Sequence, residues 1–289
     1  MKRIVTAIVL IAAVFGIIFS KQIWLVTIFA AVVAELAAYE FLLLANLGTQ
    51  TDTTPAPIPL WWMAAGTALM FVFILPNINI PAPSQLAVLS ALSLLLFAWN
   101  ALREPLSSVL PGTAQGLFAL IYIAYPLSLI PPIWSREDGP ALVLFLMVCV
   151  WTGDIAALYV GRRYGKRKLA PTLSPNKTWE GAIASIVGSV LAAGLVILIG
   201  DQLSAHGNTL LHVTEPLWQS LLLAALLNIA AQLGDLLESA IKRGAGVKDS
   251  GTMLPGHGGI LDRIDALLLA APVLWYTLLI KDAFGLGRF

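Results

Sequence analysis

Long, unbroken apolar runs restrict this chain to one kind of surroundings. A helix needs about 20 mostly apolar residues to cross the hydrocarbon core of a bilayer. Stretches of that kind stand near 4–19, 23–45, 60–76, 85–101, 114–134, 140–160, 180–200, 217–240 and 260–280. They are continuous and rich in Leu, Ala, Ile and Val, unlike the short alternating segments of a transmembrane barrel. Hydrophobic residues make up 58% of the chain and charged residues 11%, which excludes an ordinary water-soluble domain. The expected fold is an all-α integral membrane protein, a polytopic bundle of about nine transmembrane helices.

The first run follows Met1, Lys2 and Arg3 as a secretory signal would, but no Ala-x-Ala type of cleavage site stands close behind it, so it counts as a helix. Cys149 is the only cysteine and lies inside an apolar run, so a disulfide or a thiolate metal cluster within one chain is excluded. Connectors such as "TTPAPIP" and "NINIPAPSQ" read as turns between helices. Residues 1–140 therefore read as about five hydrophobic spans for packing, lipid contact or oligomerisation. Residues 141–289 carry nearly all the polar clusters, with charged loops at 161–179 and 242–259.

Nine spans would put the N-terminus and the loops after even-numbered helices on one side of the membrane. That side would hold thirteen of the seventeen basic residues, including Arg162, Arg163, Lys166, Arg167 and Lys168 in one loop and Lys242, Arg243 and Lys248 in the other. The positive-inside rule assigns this side to the cytoplasm. The expected location is a cell membrane of the bacterial inner-membrane type, crossed many times, with both charged loops facing the nucleotide pool.

Four polar groupings stand out against the apolar background. Glu35 and Glu40 lie in the second run, where an ionisable group is costly and marks a functional site by default; five residues apart they share no helical face, and no role is assigned to either. "SPNKTWEG" sets Ser174, Lys177 and Thr178 around a turn at the start of the next helix. Hydroxyls, an ammonium and unpaired helix N–H groups there suit a phosphate. The basic residues just before it are as readily explained by anionic headgroups, and Asp154 reads as a counter-ion to them or as a metal ligand. Along "GDLLESAIKR", Asp235, Glu238, Ser239 and Lys242 fall on one helical face, which must turn to the protein interior or a wet cavity, although a plain Glu238–Lys242 pair would also account for part of it. Asp262 and Asp265, three apart at the start of the last run, can present carboxylates to one Mg²⁺ ion, which usually takes few protein ligands and shares substrate phosphates. Ahead of them Gly256, Gly258 and Gly259 permit close backbone approach or positive φ, with His257 between.

The stretch "SAIKRGAGVKDSGTMLPGHGGILDRIDAL" resembles the signature of the phosphatidate cytidylyltransferase, or CDP-diacylglycerol synthase, family: Ser, Lys-Arg, Lys-Asp, His-Gly-Gly and Asp-Arg-x-Asp in gapless order. "SPNKTWEG" and "GDLLES" are similar to its accompanying motifs, so the resemblance covers roughly 150–270 in motif and the remainder only in hydropathy. One departure is visible, because Ala157 is followed by Leu158 and then Tyr159 where the family commonly has Ala-Tyr. The resemblance implies transfer of a cytidylyl group from CTP to phosphatidate, giving CDP-diacylglycerol and pyrophosphate with Mg²⁺; a second, monovalent cation is compatible but not required. It implies catalytic roles for Ser239, Lys242, Arg243, Lys248, Asp262 and Arg263. Ser174, Lys177, Thr178, Lys248, His257, Gly258 and Gly259 would bind substrate phosphates. Asp235, Asp262 and Asp265 would bind metal, with Asp154 and Asp249 as further candidates. Phosphatidate already carries an anionic oxygen, so the reaction needs alignment and charge neutralisation more than a strong base.

The expected partners are CTP, phosphatidate and the bilayer, with a homodimer expected because the apolar first half has no other evident task, and no nucleic acid. Two other classes stay open. A transporter also buries carboxylates between helices, though it has no need of a His-Gly-Gly loop, and a CTP-dependent lipid kinase or an isoprenoid-ether cytidylyltransferase would share much of this chemistry.

Overall fold

The computed structural model describes residues 11–47, 56–74, 81–214, 216–254, 256 and 258–285. They are mostly helical. In chain order the helices are α1 (Ile23–Leu47), α2 (Leu60–Ile74), α3 (Ala82–Arg103), α4 (Leu106–Trp134), α5 (Gly139–Tyr164), α6 (Trp179–Ala205), α7 (Leu217–Gly244) and α8 (Leu261–Phe284). All but α2, which has 15 residues, are long and apolar enough to cross a membrane. The expected count of nine thus compares with 7 such helices among the described residues. The run near 60–76 is described only to Ile74, and the run near 4–19 lies mostly outside the described residues, of which 11–18 are helical.

The chain forms two compact units. The first comprises Met1–Val14, Gln22–Pro132 and Ile241–Ile264, the second Phe15–Lys21, Ile133–Ala240 and Asp265–Phe289. Segment 241–264 therefore groups with the N-terminal helices, whereas a division at residue 140 would set it apart from them.

In the first unit Trp62 of α2 is fully buried and its indole N–H donates to the Leu92 carbonyl of α3 at 2.9 Å. Gly66 lets α2 approach α4 closely; a Cβ there would meet the Leu120 side chain at 2.7 Å. Phe41 of α1 packs on Phe118 and Tyr122 of α4, with ring centroids 5.7 and 6.4 Å away. Helix α4 widens into a π turn over Leu120–Ala124 just before Pro126. A proline inside a helix lacks the N–H for the ladder and crowds the carbonyl one turn back, and a wider turn relieves both.

In the second unit α5 and α6 pack lengthwise through small residues. A Cβ on Gly188 would meet that of Ala156 at 2.6 Å, and one on Gly181 would meet the Ala157 carbonyl oxygen at 3.1 Å. Close approach of this kind is how helices associate where no water drives them together. Asn228 of α7 donates to Ser185 and Ser189 of α6 at 3.0 and 2.8 Å, and Gln232 donates to Asn228 at 2.7 Å. Large side chains such as Val187, Leu191, Leu195 and Leu198 stay exposed along α6, a surface suited to lipid or to another apolar face. Between α5 and α6 the chain makes a short antiparallel hairpin, β1 (Lys168–Ala170) and β2 (Ser174–Thr178).

Candidate functional site

Two charged centres stand at helix ends, one in each unit. In the first unit α7 stops where Gly246 takes φ +71°, a left-handed close that glycine adopts without steric cost. The Val247 N–H bonds back to the Lys242 carbonyl at 2.9 Å, and the Arg243 guanidinium donates to the Val247 carbonyl at 2.7 Å. This closure fixes the base of Lys242. Its ammonium lies 2.7 Å from Asp262 Oδ1, with the two side chains only 12% and 8% exposed.

Asp262 is held from its other oxygen. Oδ2 accepts the backbone N–H of Ser250 at 2.9 Å and of Gly259 at 2.8 Å. Gly258 has φ +81°, and a Cβ on it would stand 2.6 Å from Asp262 Oδ2, so glycine is required there twice over. Leu254 N–H donates to the Gly258 carbonyl at 3.0 Å and pins the loop across its neck. Lys248, Asp249 and Arg263 are exposed around this centre. His257 lies outside the described residues.

A residue without an assigned role belongs to the same centre. Glu40 of α1, 1% exposed, accepts from Ser250 Oγ and from the Leu261 N–H through Oε2, both at 2.9 Å. Its only advance signal was an ionisable group inside an apolar run. Ser250 gave none. Glu35 accepts instead from Thr67 at 2.9 Å.

In the second unit Lys177 of β2 meets Asp235 Oδ2 of α7 at 2.6 Å, and the Ser239 hydroxyl lies 3.5 Å from Asp235 Oδ1. Asp154 of α5 is a charge neighbour of both Asp235 and Lys177. Ser174 opens β2, half-buried. Thr178 caps α6, its hydroxyl accepting the Gly181 N–H at 3.2 Å, so that oxygen is already committed to the helix. Glu180 takes the N–H groups of Lys166 and Arg167 at 3.0 and 3.3 Å, which folds the basic loop back on α6. The Asp265 carboxylate accepts its neighbour's N–H, that of Ala266, at 2.8 Å.

Among the described residues no three His, Cys, Asp or Glu side chains stand together as ligands of one metal. Each carboxylate is engaged locally, Asp235 by Lys177, Asp262 by Lys242 and two backbone N–H groups, Asp265 by Ala266. Lys242 meets Asp262 because the turn after α7 returns the chain over the ammonium. Asp154 and Asp235 are charge neighbours on α5 and α7, hard oxygen groups of the kind Mg²⁺ takes when phosphates complete its shell.

Comparison with known proteins agrees with the resemblance in the motifs. A phosphatidate cytidylyltransferase of Brucella suis is 44% identical over 169 residues, covering 56% of this chain and 55% of that protein, so the chain spans about half the length of such relatives. One of Staphylococcus saprophyticus is 37% identical over 191 residues, 66% of this chain and 68% of its own length. An uncharacterized protein of Escherichia coli, YnbB, is 34% identical over 262 residues, 91% of this chain and 82% of its own. A model of the cytidylyltransferase family matches residues 1–281. With a membrane-spanning helical fold and lysine–carboxylate pairs at both charged centres, the chain belongs to the cytidylyltransferase family.

Proposed function

We propose that this protein transfers a cytidylyl group from CTP to phosphatidate, releasing pyrophosphate and leaving CDP-diacylglycerol in the membrane. The observation that carries the reading is the largely buried Lys242–Asp262 pair under a glycine loop at the N-terminal end of α8. An ammonium oriented by a carboxylate is suited to the phosphates of a nucleotide triphosphate. The names of the Brucella and Staphylococcus relatives support phosphatidate as acceptor.

An anionic phosphomonoester oxygen of phosphatidate attacks the α-phosphorus of CTP, a P–O bond forms, and the bond to the β-phosphate oxygen breaks as pyrophosphate leaves. No proton need be removed by a strong base. Asp262 fixes where the Lys242 ammonium stands, so that its charge meets negative charge as it grows in the transition state. Arg243, Lys248 and Arg263 supply further cations for phosphate. Lys177, with Ser174 and Ser239, does the same at the second centre. Asp235 and Asp154 would hold Mg²⁺, which when bound supplies neutralisation of the triphosphate and of the leaving pyrophosphate. The charged loops face the cytoplasm, where CTP is found.

Purified protein in mixed micelles is incubated with phosphatidate and CTP labelled at the α-phosphate. The label is expected to enter the lipid as pyrophosphate appears, and to stop doing so when divalent cations are chelated. Appearance of CDP with phosphate transfer to lipid would instead mean a kinase, and no label in lipid would remove phosphatidate as the acceptor.

A further inference from the structure

We propose that Glu40 is a positioning residue, a carboxylate on α1 that sets the Lys242–Asp262 pair through Ser250 without touching substrate; this rests on the reaction proposed above for that pair. The two ends of the link are far apart in sequence. Glu40 reaches Ser250 and Leu261, 210 and 221 residues away, with 2.9 Å hydrogen bonds to one oxygen, Oε2.

Each bond does something different. Leu261 opens α8, and its N–H is one of the first-turn donors that a helix cannot satisfy internally. In apolar surroundings that donor needs an acceptor from elsewhere, and Glu40 brings it. The Ser250 hydroxyl has a single proton, and Glu40 takes it. This leaves the oxygen of Ser250 to accept the Asp262 N–H at 3.3 Å, while the Ser250 N–H donates to Asp262 Oδ2 at 2.9 Å. Asp262 in turn holds Lys242 at 2.7 Å. The chain of bonds therefore runs from α1 through the loop to the ammonium, and its donor directions are set by the carboxylate at its far end.

The loop is also shaped around that carboxylate. A Cβ on Gly251 would stand 2.5 Å from Glu40 Oε1, and one on Gly259 would run into both Glu40 and Ser250. A leucine would fill the same apolar volume without the cost of burying a polar group, so the position is explained by its acceptor oxygen and not by packing. Glu40 itself bonds neither Lys242 nor Asp262, which makes it an orienting group and not a catalytic one.

The test compares Glu40→Gln with Glu40→Leu. The amide oxygen of glutamine can replace Oε2 as acceptor, so Glu40→Gln should keep kcat within about threefold. Glu40→Leu should lose at least about tenfold in kcat, with KM for CTP and phosphatidate changed less than about threefold. In an Asp262→Asn background Glu40→Leu should cost less than about threefold more, because both act through one network. Equal losses in the Gln and Leu variants, an unchanged Leu variant, or losses that multiply in the double variant overturn the proposal. If Glu40→Leu does not fold, Ser250→Ala cuts only the hydroxyl link and should show the same kcat loss; unchanged kcat there also overturns it. Backbone hydrogen exchange over 247–262, read without substrate, should quicken in Glu40→Leu and stay as in the parent in Glu40→Gln, and equal protection in both overturns the proposal. A parent protein that releases no pyrophosphate from CTP and phosphatidate overturns the proposed reaction alone, since the exchange measurement does not depend on it.

Discussion

Lys242 and Lys166 are the same residue type in charged loops, and the structure separates them. Lys242 is 12% exposed and locked to Asp262, whereas the Lys166 side chain is exposed and only its backbone N–H is used, by Glu180. A cation that meets charge growing in the transition state contributes several kcal/mol in a water-poor site, and each 1.36 kcal/mol is about tenfold in rate. An exposed cation near anionic headgroups contributes about 1 kcal/mol, screened by salt. Lys242→Gln is expected to lower turnover at least about a hundredfold, with the fold kept because Asp262 retains two backbone donors. Lys166→Gln together with Lys168→Gln should change turnover less than about threefold by the same scale. Steady-state kinetics in mixed micelles decide, and equal losses would erase the distinction. The motif pointed to Lys242, Asp262 and Gly258 before any geometry. Their pairings were not legible, because Lys242 reaches Asp262, twenty positions on, only through the way Gly246 closes the helix and the loop returns.

At the scale of elements, the helices were readable from length and apolarity, and Pro81, Pro105 and Thr178 stand at starts that such residues favour. The hairpin after α5 was not foreseen, since strands of 3 and 5 residues are too short to show an alternating pattern. The π turn of α4 was hidden too, because a proline in a helix tells of a disturbance but not of the form it takes. The packing of α5 on α6 and α7 rests on Gly153, where a Cβ would meet the hydroxyls of Ser189 and Ser185 at 2.7 and 2.8 Å and crowd the Asn228 amide. Overpacking of this kind costs about 1–3 kcal/mol. Gly153→Ala should therefore lower the melting temperature in detergent. Gly194→Ala on α6 should not, because its Cβ would meet only Leu221 at 3.5 Å and alanine is the better helix former. A Gly153→Ala variant as stable as its parent would mean that this polar contact between helices is loose.

For the whole molecule, the apolar runs made the membrane class legible at once, while the grouping of 241–264 with the N-terminal helices was invisible, because it depends on Glu40 meeting residues more than two hundred positions away. The proposed orientation in the bilayer rests on charge alone. With nine spans, thirteen of the seventeen basic residues would fall on one side, and positive loops stay cytoplasmic because their translocation is disfavoured. The loop between α5 and α6 is the place to test this, since Lys166 is exposed and its side chain has no task in the proposed chemistry. The native Cys149 is buried and will not compete for reagent. A Lys166→Cys variant in sealed, right-side-out vesicles should resist a membrane-impermeant thiol reagent and react once the vesicles are opened or inverted. Reaction in sealed vesicles would put the loop outside, and a CTP-dependent enzyme would then face a compartment without its nucleotide.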